Sequence, residues 1–139
     1  RQGLKRLLGH TASMAAGCLY CRAHTGTSAM RHGVSAEKLA ALPEYHRSPL
    51  FSEAERVAID FAFAAASQPN AVDDALFQRL QAHWTEGQIV EILGVVSLFG
   101  FFNRWNDSMA TTLEPEPLEL AGTHLALSGW QPGKHAPGA

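Results

Sequence analysis

The chain has 139 residues, of which 46% are hydrophobic and 17% are charged, enough apolar material for one core and too little length for a second catalytic domain. With 11 Lys and Arg against 13 Asp and Glu, its formal charge of -2 excludes the basic field by which nucleic-acid-binding proteins attract phosphates. Its 2 cysteines are too few for the disulfide framework of a small secreted protein. We therefore expect one cytoplasmic domain that binds no nucleic acid.

The first part of the chain is predicted to form three helices. Apolar residues spaced three and four apart indicate a helix over residues 4–16, with His10 and Ser13 on its polar side. Gly17 offers a break, and a second helix follows over residues 18–31. A short helix over residues 35–42 ends before a proline.

Two capping boxes begin the longer helices of the second part. Ser52 with Glu55 predicts a helix over residues 52–67, and Thr85 with Gln88 predicts one through about residue 111. Further helices are predicted over residues 73–84 and 118–127. Since no alternation typical of a strand occurs over a useful length, the fold class is all-α.

The two longest helices, residues 52–67 and 86–111, are apolar on nearly every side. One small bundle cannot bury so much apolar surface, so we expect a homo-oligomer. The apolar run at residues 89–102 includes Glu91 and is shorter than the roughly 20 residues of a membrane span. It is therefore interpreted as a buried helix, with no membrane partner.

The candidate chemical site is the segment from Gly17 to Thr25, which contains both cysteines. Side chains three or four apart on a helix are neighbours, so Cys18 can contact Cys21, and Cys21 can contact His24. The free N–H groups and the dipole at the start of a helix favour the thiolate form of a cysteine in its first turn, which here is Cys18. Cys21, however, lies nearer His24, so the sequence leaves open which cysteine attacks first. A thiolate beside a second thiol can attack a peroxide and then be resolved by its neighbour.

Other interpretations of the cysteine pair remain. A zinc site would need a fourth ligand beside Cys18, Cys21 and His24. The candidates for it are His10, His32 and His46. Without a second closely spaced ligand pair, we predict no metal and no cofactor. The two cysteines could also be buried structural residues, whereas a thioredoxin-like site needs a preceding strand that the sequence lacks.

The segment Ala15-Ala16-Gly17-Cys18-Leu19-Tyr20-Cys21-Arg22-Ala23-His24-Thr25, together with the later Asn103-Arg104-Trp105-Asn106-Asp107, resembles the carboxymuconolactone decarboxylase family. More narrowly it resembles the alkylhydroperoxidase D-like branch, over residues 4–112. The resemblance implies an all-helical bundle that assembles as trimers or hexamers. It also implies that the paired cysteines reduce hydroperoxides and that a lipoyl-type or other external thiol reductant restores them. We assign residues 1–112 to this domain and expect the tail, residues 113–139, to pack on it or on a neighbouring subunit.

Two positions depart from the best-known pattern of this family. Its glutamate twelve residues before the first cysteine is Arg6 here, and its histidine four residues after the second cysteine is Thr25. His24 is therefore our candidate for proton management around the thiols. His10 is a second candidate, provided that the chain folds back after it, because a straight helix would place it about 12 Å along the axis from Cys18. In a straight helix it would instead belong to a solvated polar face.

The sequence thus predicts a thiol-dependent peroxidase or disulfide oxidoreductase with Cys18, Cys21, His24 and His10 at its catalytic site. The first alternative is a carboxymuconolactone decarboxylase-like enzyme that acts on a cyclic acid and has non-catalytic cysteines. Because the decarboxylase branch lacks the cysteine pair, the pair favours redox chemistry. A second alternative is a non-enzymatic metal or redox-sensing module.

Overall fold

A computed structural model describes residues 1–138, which form seven α-helices and no β-strand. The all-α prediction is confirmed. The helices are α1 (Gln2–Ala16), α2 (Leu19–Arg31), α3 (Ala36–Ala40), α4 (Glu53–Ala66), α5 (Asp74–Gln81), α6 (Glu86–Met109) and α7 (Pro115–His124). Ala139, the last residue of the predicted tail, lies outside the described residues.

Helix α1 is the centre of the bundle, with α2, α4 and α6 packed around it. Gly9 allows the close approach of α6, because a Cβ atom at this position would lie 2.6 Å from the ring of Phe99. The alternative in which His10 lies on a solvated polar face of α1 is wrong, since His10 and Ser13 are both fully buried. Helices cover α1 on three sides, and the polar side chains make internal hydrogen bonds instead, such as that from the Ser13 hydroxyl to the Gly9 carbonyl (2.8 Å).

The chain reverses direction at Gly17, as the sequence allowed. Gly17 adopts the left-handed conformation (φ 71°), which glycine reaches without the steric cost that a side chain would add. The backbone N–H of Cys18 donates to the Ser13 carbonyl (3.0 Å) and closes the end of α1. Helix α2 then runs back along α1, which meets the condition set for a role of His10 at the site.

Both predicted capping boxes are present. The hydroxyl of Ser52 accepts the backbone N–H of Glu55, and Thr85 does the same for Gln88, with each glutamate or glutamine side chain bonding back to the cap residue. The helix predicted over residues 118–127 begins earlier, because Pro115 fits the first helical position, where its fixed φ suits the helix and no N–H is needed.

The segment 113–138 folds back over the start of α2. Helix α7 packs on α2, and the indole N–H of Trp130 donates to the Leu19 carbonyl (3.0 Å). His135 is fully buried, with Nδ1 2.8 Å from the Thr111 carbonyl oxygen and Nε2 3.1 Å from Asp107 Oδ1. The segment therefore covers the part of the molecule that contains both cysteines.

One face of α6 is buried in the bundle and the other is apolar but exposed. The buried face contains Ile89, Ile92, Val96 and Asn103. The exposed side chains, which we call the α6 face, are Val90, Leu98, Phe101, Trp105 and Met109. By length and composition alone α6 could also span a membrane, and 22% of its most apolar window is buried within the bundle.

Candidate dithiol site

The two cysteines occupy the first turn of α2. Cys18 is the residue that caps the helix, and its sulfur accepts the backbone N–H of Cys21 at 3.2 Å. Both are free thiols and both are buried. The reversal at Gly17 and the helix start thus place two reduced sulfurs side by side, where they can exchange a proton or form a disulfide.

Hydrogen-bond donors favour the anionic form of Cys21 over that of Cys18. The Cys18 thiol donates to the Cys21 sulfur and lowers the pKa of Cys21; burial opposes this, whereas the side-chain amides of Asn103 and Asn106 add to it. Asn106 Nδ2 lies 3.9 Å from the Cys21 sulfur. The pKa of Cys18 is raised, because Cys18 keeps the proton that it shares with Cys21 and because it is buried. Helix-end electrostatics alone favoured Cys18, but the amides from α6 reach only Cys21.

The orientation of the Asn103 amide is fixed by its contacts. The Ser13 hydroxyl donates to a backbone carbonyl, so its oxygen is free to accept from Asn103 Nδ2 at 3.0 Å. The amide nitrogen therefore faces Ser13, and Asn103 Oδ1 is left buried without a hydrogen-bond partner among residues 1–138. A buried acceptor of this kind is uncommon and calls for a donor.

His24 and Tyr20 both bind the carboxylate of Glu114. The Tyr20 hydroxyl donates to Glu114 Oε1 (2.7 Å), and His24 Nε2 lies 2.5 Å from Oε2. The two rings pack against each other with centroids 4.5 Å apart. Burial would raise the pKa of Glu114, but the Tyr20 and His24 contacts lower it overall. Glu114 is therefore ionised and orients the His24 ring.

No pattern in the sequence pointed to Glu114. It lies 90 residues after His24 and begins α7, so no local spacing connects it to the cysteines. Only the folding of the tail over α2 brings it to the site. The contact between Asp107 and His135 was not predicted for the same reason, since it joins α6 to the tail.

His10 lies between α1 and α2, behind the cysteines. Its Nδ1 is 2.8 Å from the Thr25 hydroxyl, which itself donates to the Cys21 carbonyl (2.7 Å). The hydroxyl therefore accepts the Nδ1–H of His10. Burial, with the nearby charge of Arg22, lowers the pKa of His10 to about 3, so the ring is neutral. Among residues 1–138 no hydrogen bond joins His10 to either sulfur, and its connection to the site passes through Thr25.

The histidines considered as zinc ligands are not gathered around the thiols. His32 bonds a carbonyl at the end of α2, and His46 lies beside Asp60. Within the described chain, no group of three or more His, Cys, Asp or Glu side chains is placed to bind a metal ion.

Two depressions, with volumes of about 570 Å³ and 340 Å³, lie along α6 near Asn103, and neither cysteine lines them. Ala16, Asn103 and Arg104 line both of them, so we treat them as one groove and call it the Asn103 cleft. Its walls come from the ends of α1 and α4 and from α6. Asn103, whose amide also faces Cys21, forms the boundary between the cleft and the dithiol.

Comparisons with known proteins agree with this architecture, although no family model matches the chain. YnjA, an uncharacterized protein of Escherichia coli (strain K12), is 36% identical over 92 residues, which are 66% of this chain and 50% of YnjA. The crystal structure of the debrominase Bmp8 is 36% identical with a TM-score of 0.80, and covers 84% of this chain and 63% of Bmp8. The chain thus spans only part of the length of either relative.

Two further crystal structures share the fold. A cysteine-to-alanine variant of Bmp8 in complex with 2,3,4-tribromopyrrole is 33% identical with a TM-score of 0.83, over 88% of this chain and 66% of Bmp8. ATU0492 from Agrobacterium tumefaciens, a protein of unknown function proposed to be the antioxidant defence protein AhpD, is 21% identical with a TM-score of 0.76, over 82% of this chain and 79% of its own. The expected alkylhydroperoxidase D-like fold is confirmed.

Proposed function

We propose that this chain is a dithiol oxidoreductase that reduces organic hydroperoxides through Cys18 and Cys21. The observation that carries the proposal is the pair of reduced, buried sulfurs in one helical turn, with the pKa of Cys21 lowered. Such a pair can give two electrons to an electrophile and close a disulfide. An external thiol or lipoyl-type reductant would then reopen it.

The lowered pKa favours Cys21 as the attacking thiolate. Its sulfur bonds to one peroxide oxygen while the O–O bond breaks and the alkoxide leaves. The alkoxide takes a proton and becomes the alcohol. We assign the role of proton donor to His24, whose ring is held by Glu114. Cys18 then attacks the Cys21 sulfenic acid, water leaves, and the disulfide forms. The sum is one hydroperoxide and two thiols converted to one alcohol, one water and one disulfide.

We assign His10 a positioning role in this reaction. Its hydrogen bond to Thr25 fixes a hydroxyl that in turn binds the Cys21 carbonyl. A neutral ring with a pKa of about 3 neither supplies nor stores a proton near neutral pH. His10 would therefore hold the first turn of α2 in the geometry that the dithiol needs.

Reductive debromination is the second candidate function, and the likeness to Bmp8 favours it. The electron balance is the same: two thiols become a disulfide, a C–Br bond is replaced by C–H, and bromide leaves with a proton. The two candidates therefore differ in the electrophile and not in the role of the cysteines.

Separate Cys18→Ser and Cys21→Ser variants test the proposal. With cumene hydroperoxide and dithiothreitol we expect each variant to lose at least about a hundredfold in turnover. Wild-type protein treated with peroxide should lose two hydrogen atoms per chain in a non-reducing mass measurement. Unchanged turnover in both variants would contradict the proposal and favour the decarboxylase-like alternative. Bromide release from 2,3,4-tribromopyrrole without hydroperoxide consumption would instead select the second candidate.

We also propose that the chain belongs to the alkylhydroperoxidase D-like branch of the carboxymuconolactone decarboxylase family. The shared fold and the Cys18, Tyr20, Cys21 and His24 pattern support this. A homo-oligomer is supported by the exposed α6 face, and the family resemblance implies that it is a trimer or hexamer. A cytoplasmic location and the absence of nucleic-acid and membrane partners remain predictions.

A further inference from the structure

Arg104, in the second half of α6, lies where three surface depressions meet. It lines both parts of the Asn103 cleft and also a third depression, of about 510 Å³, beside Phe101 and Trp105. The preceding residue, Asn103, is the one that separates the cleft from the dithiol. A molecule bound in any of the three depressions would therefore lie beside this guanidinium.

The positive charge of Arg104 is not balanced by the protein. Its Nη1 donates to the Gly100 carbonyl (3.0 Å), and no carboxylate among residues 1–138 lies within 4 Å of it. Lys134, the other cation that lines the cleft, already bonds the Asp107 backbone. The exposed Arg47 and Arg79, by contrast, each contact a carboxylate. The cleft thus has a spare guanidinium, which matches a carboxylate in geometry as well as in charge.

Apart from Asn103 and Arg104, the polar residues that line the cleft are Gln68 and Ser97 in the larger depression and Asp107, Ser108 and Lys134 in the smaller one, and the remaining side chains are small or apolar. They are Ala15, Ala16, Ala65, Ala66, Leu93 and Val96. Such walls accept a compact apolar body. Asn103 lines both depressions, and its side-chain amide also lowers the pKa of Cys21, so the hydroperoxide group of a bound substrate is expected at this residue.

We propose that the Asn103 cleft is the substrate site and that its substrates are organic hydroperoxides that contain a carboxylate. The carboxylate binds Arg104, the apolar body lies along the alanines, and the O–O–H group lies at Asn103. Arg104 is then a residue that determines specificity. The inference rests on the proposed function for its reaction, but the binding of the acid to the cleft can be measured without turnover.

A matched pair of substrates tests this specificity. Cumene hydroperoxide and para-carboxycumene hydroperoxide differ only in the carboxylate. We expect the full-length protein to reduce the acid with a kcat/KM about tenfold or more above the neutral compound. Arg104→Ala should bring this ratio close to one, and Arg104→Lys should give an intermediate ratio. Arg47→Ala is the control, because Arg47 is exposed and lines none of the three depressions.

Binding of the unreactive alcohols separates this inference from the proposed function. Para-carboxycumyl alcohol should bind the wild type more tightly than cumyl alcohol in an NMR titration, and Arg104→Ala should abolish the difference. Equal binding of the two alcohols, or unchanged preference in Arg104→Ala, would overturn the inference. If neither hydroperoxide is reduced but the acid still binds through Arg104, the proposed function fails and the carboxylate site stands.

Discussion

At the scale of single residues, the reactivity of the dithiol depends on amide groups that α6 brings to Cys21. Asn106 donates toward the sulfur at 3.9 Å, and Asn103 is held beside it by Ser13. Neutral donors stabilise a thiolate without adding a charge that a partner would have to balance. Asp107 has the opposite effect, because its negative charge raises the pKa of both thiols.

Replacing Asn106 with Leu removes one donor and preserves the approximate shape of the side chain. We expect the pKa of Cys21 to rise, because its thiolate loses a hydrogen-bond donor. Site-resolved alkylation by iodoacetamide, followed by mass spectrometry as a function of pH, measures it. Asn70→Leu, in an exposed loop, should leave the midpoint unchanged. An unshifted midpoint in Asn106→Leu would show that the amide does not act on the thiolate.

His10 should make the stability of the protein depend on pH. Its pKa is about 3 when folded and 6.5 in its ordinary state, so between these values the unfolded chain binds a proton that the folded chain does not. Stability is therefore lost as the pH falls below about 6.5, at up to roughly 1.4 kcal/mol per pH unit.

His10→Gln removes this titration. Urea unfolding at pH 7, 6 and 5 should show the stability difference between wild type and variant changing with pH, as the wild type loses the His10 contribution. Parallel pH dependence in the two proteins would show that His10 is not held neutral. The comparison is between proteins at each pH, so the titration of the other groups cancels.

The contacts of a site residue could be predicted from the sequence only where the two residues in contact are close together in the chain. The contact between Cys18 and Cys21 follows from a spacing of three on one helix, and the sequence predicted it. Glu114 reaches the site through tertiary packing and leaves no local pattern. Asn106 belongs to the segment that carries the family resemblance, but only the packing of α6 on α2 shows that it contacts Cys21. A site role for His10 could be predicted only on the condition that the chain folds back after it, because the burial of His10 depends on how many helices surround α1.

At the scale of elements, the tail packs over the start of α2, where both cysteines lie. Trp130 attaches it to the first residue of α2, and Leu113 donates to the His135 carbonyl (2.9 Å), which joins the two ends of the segment. The sequence predicted that residues 113–139 pack on this domain or on a neighbour. Capping boxes located the starts of α4 and α6 correctly because a cap is a local interaction, whereas the path of the tail depends on distant contacts.

Trp130→Ala should loosen this attachment. It removes a buried indole and its hydrogen bond to Leu19, and truncations of this kind typically cost about 3 to 5 kcal/mol. We expect the buried thiols to react with dithiodipyridine at least about tenfold faster, because local opening becomes easier. Leu127→Ala is the control on the same segment, since the Leu127 side chain is fully exposed. Equal thiol reactivity in the two variants would contradict a covering role for the tail.

At the scale of the whole molecule, the α6 face is an apolar surface that a single copy of the chain leaves exposed to solvent. Phe101 and Trp105 stack on each other with centroids 6.1 Å apart, and both are more exposed than a monomeric surface usually leaves such rings. The Asn103 cleft runs along the flank of this same helix through Arg104. A second copy seated on the α6 face would therefore border the cleft.

Phe101→Glu should break such an assembly. A carboxylate at the centre of an apolar interface loses its hydration without gaining a partner, whereas in a monomer it would be exposed and harmless. Sedimentation velocity should show the wild type as an oligomer and Phe101→Glu as a folded monomer, with its helical circular dichroism retained. Leu127→Glu places the same charge on an exposed residue away from α6 and should leave the oligomer intact. A wild type that sediments as a monomer would mean that the α6 face serves another partner, and unchanged assembly in Phe101→Glu would place the interface elsewhere on the bundle.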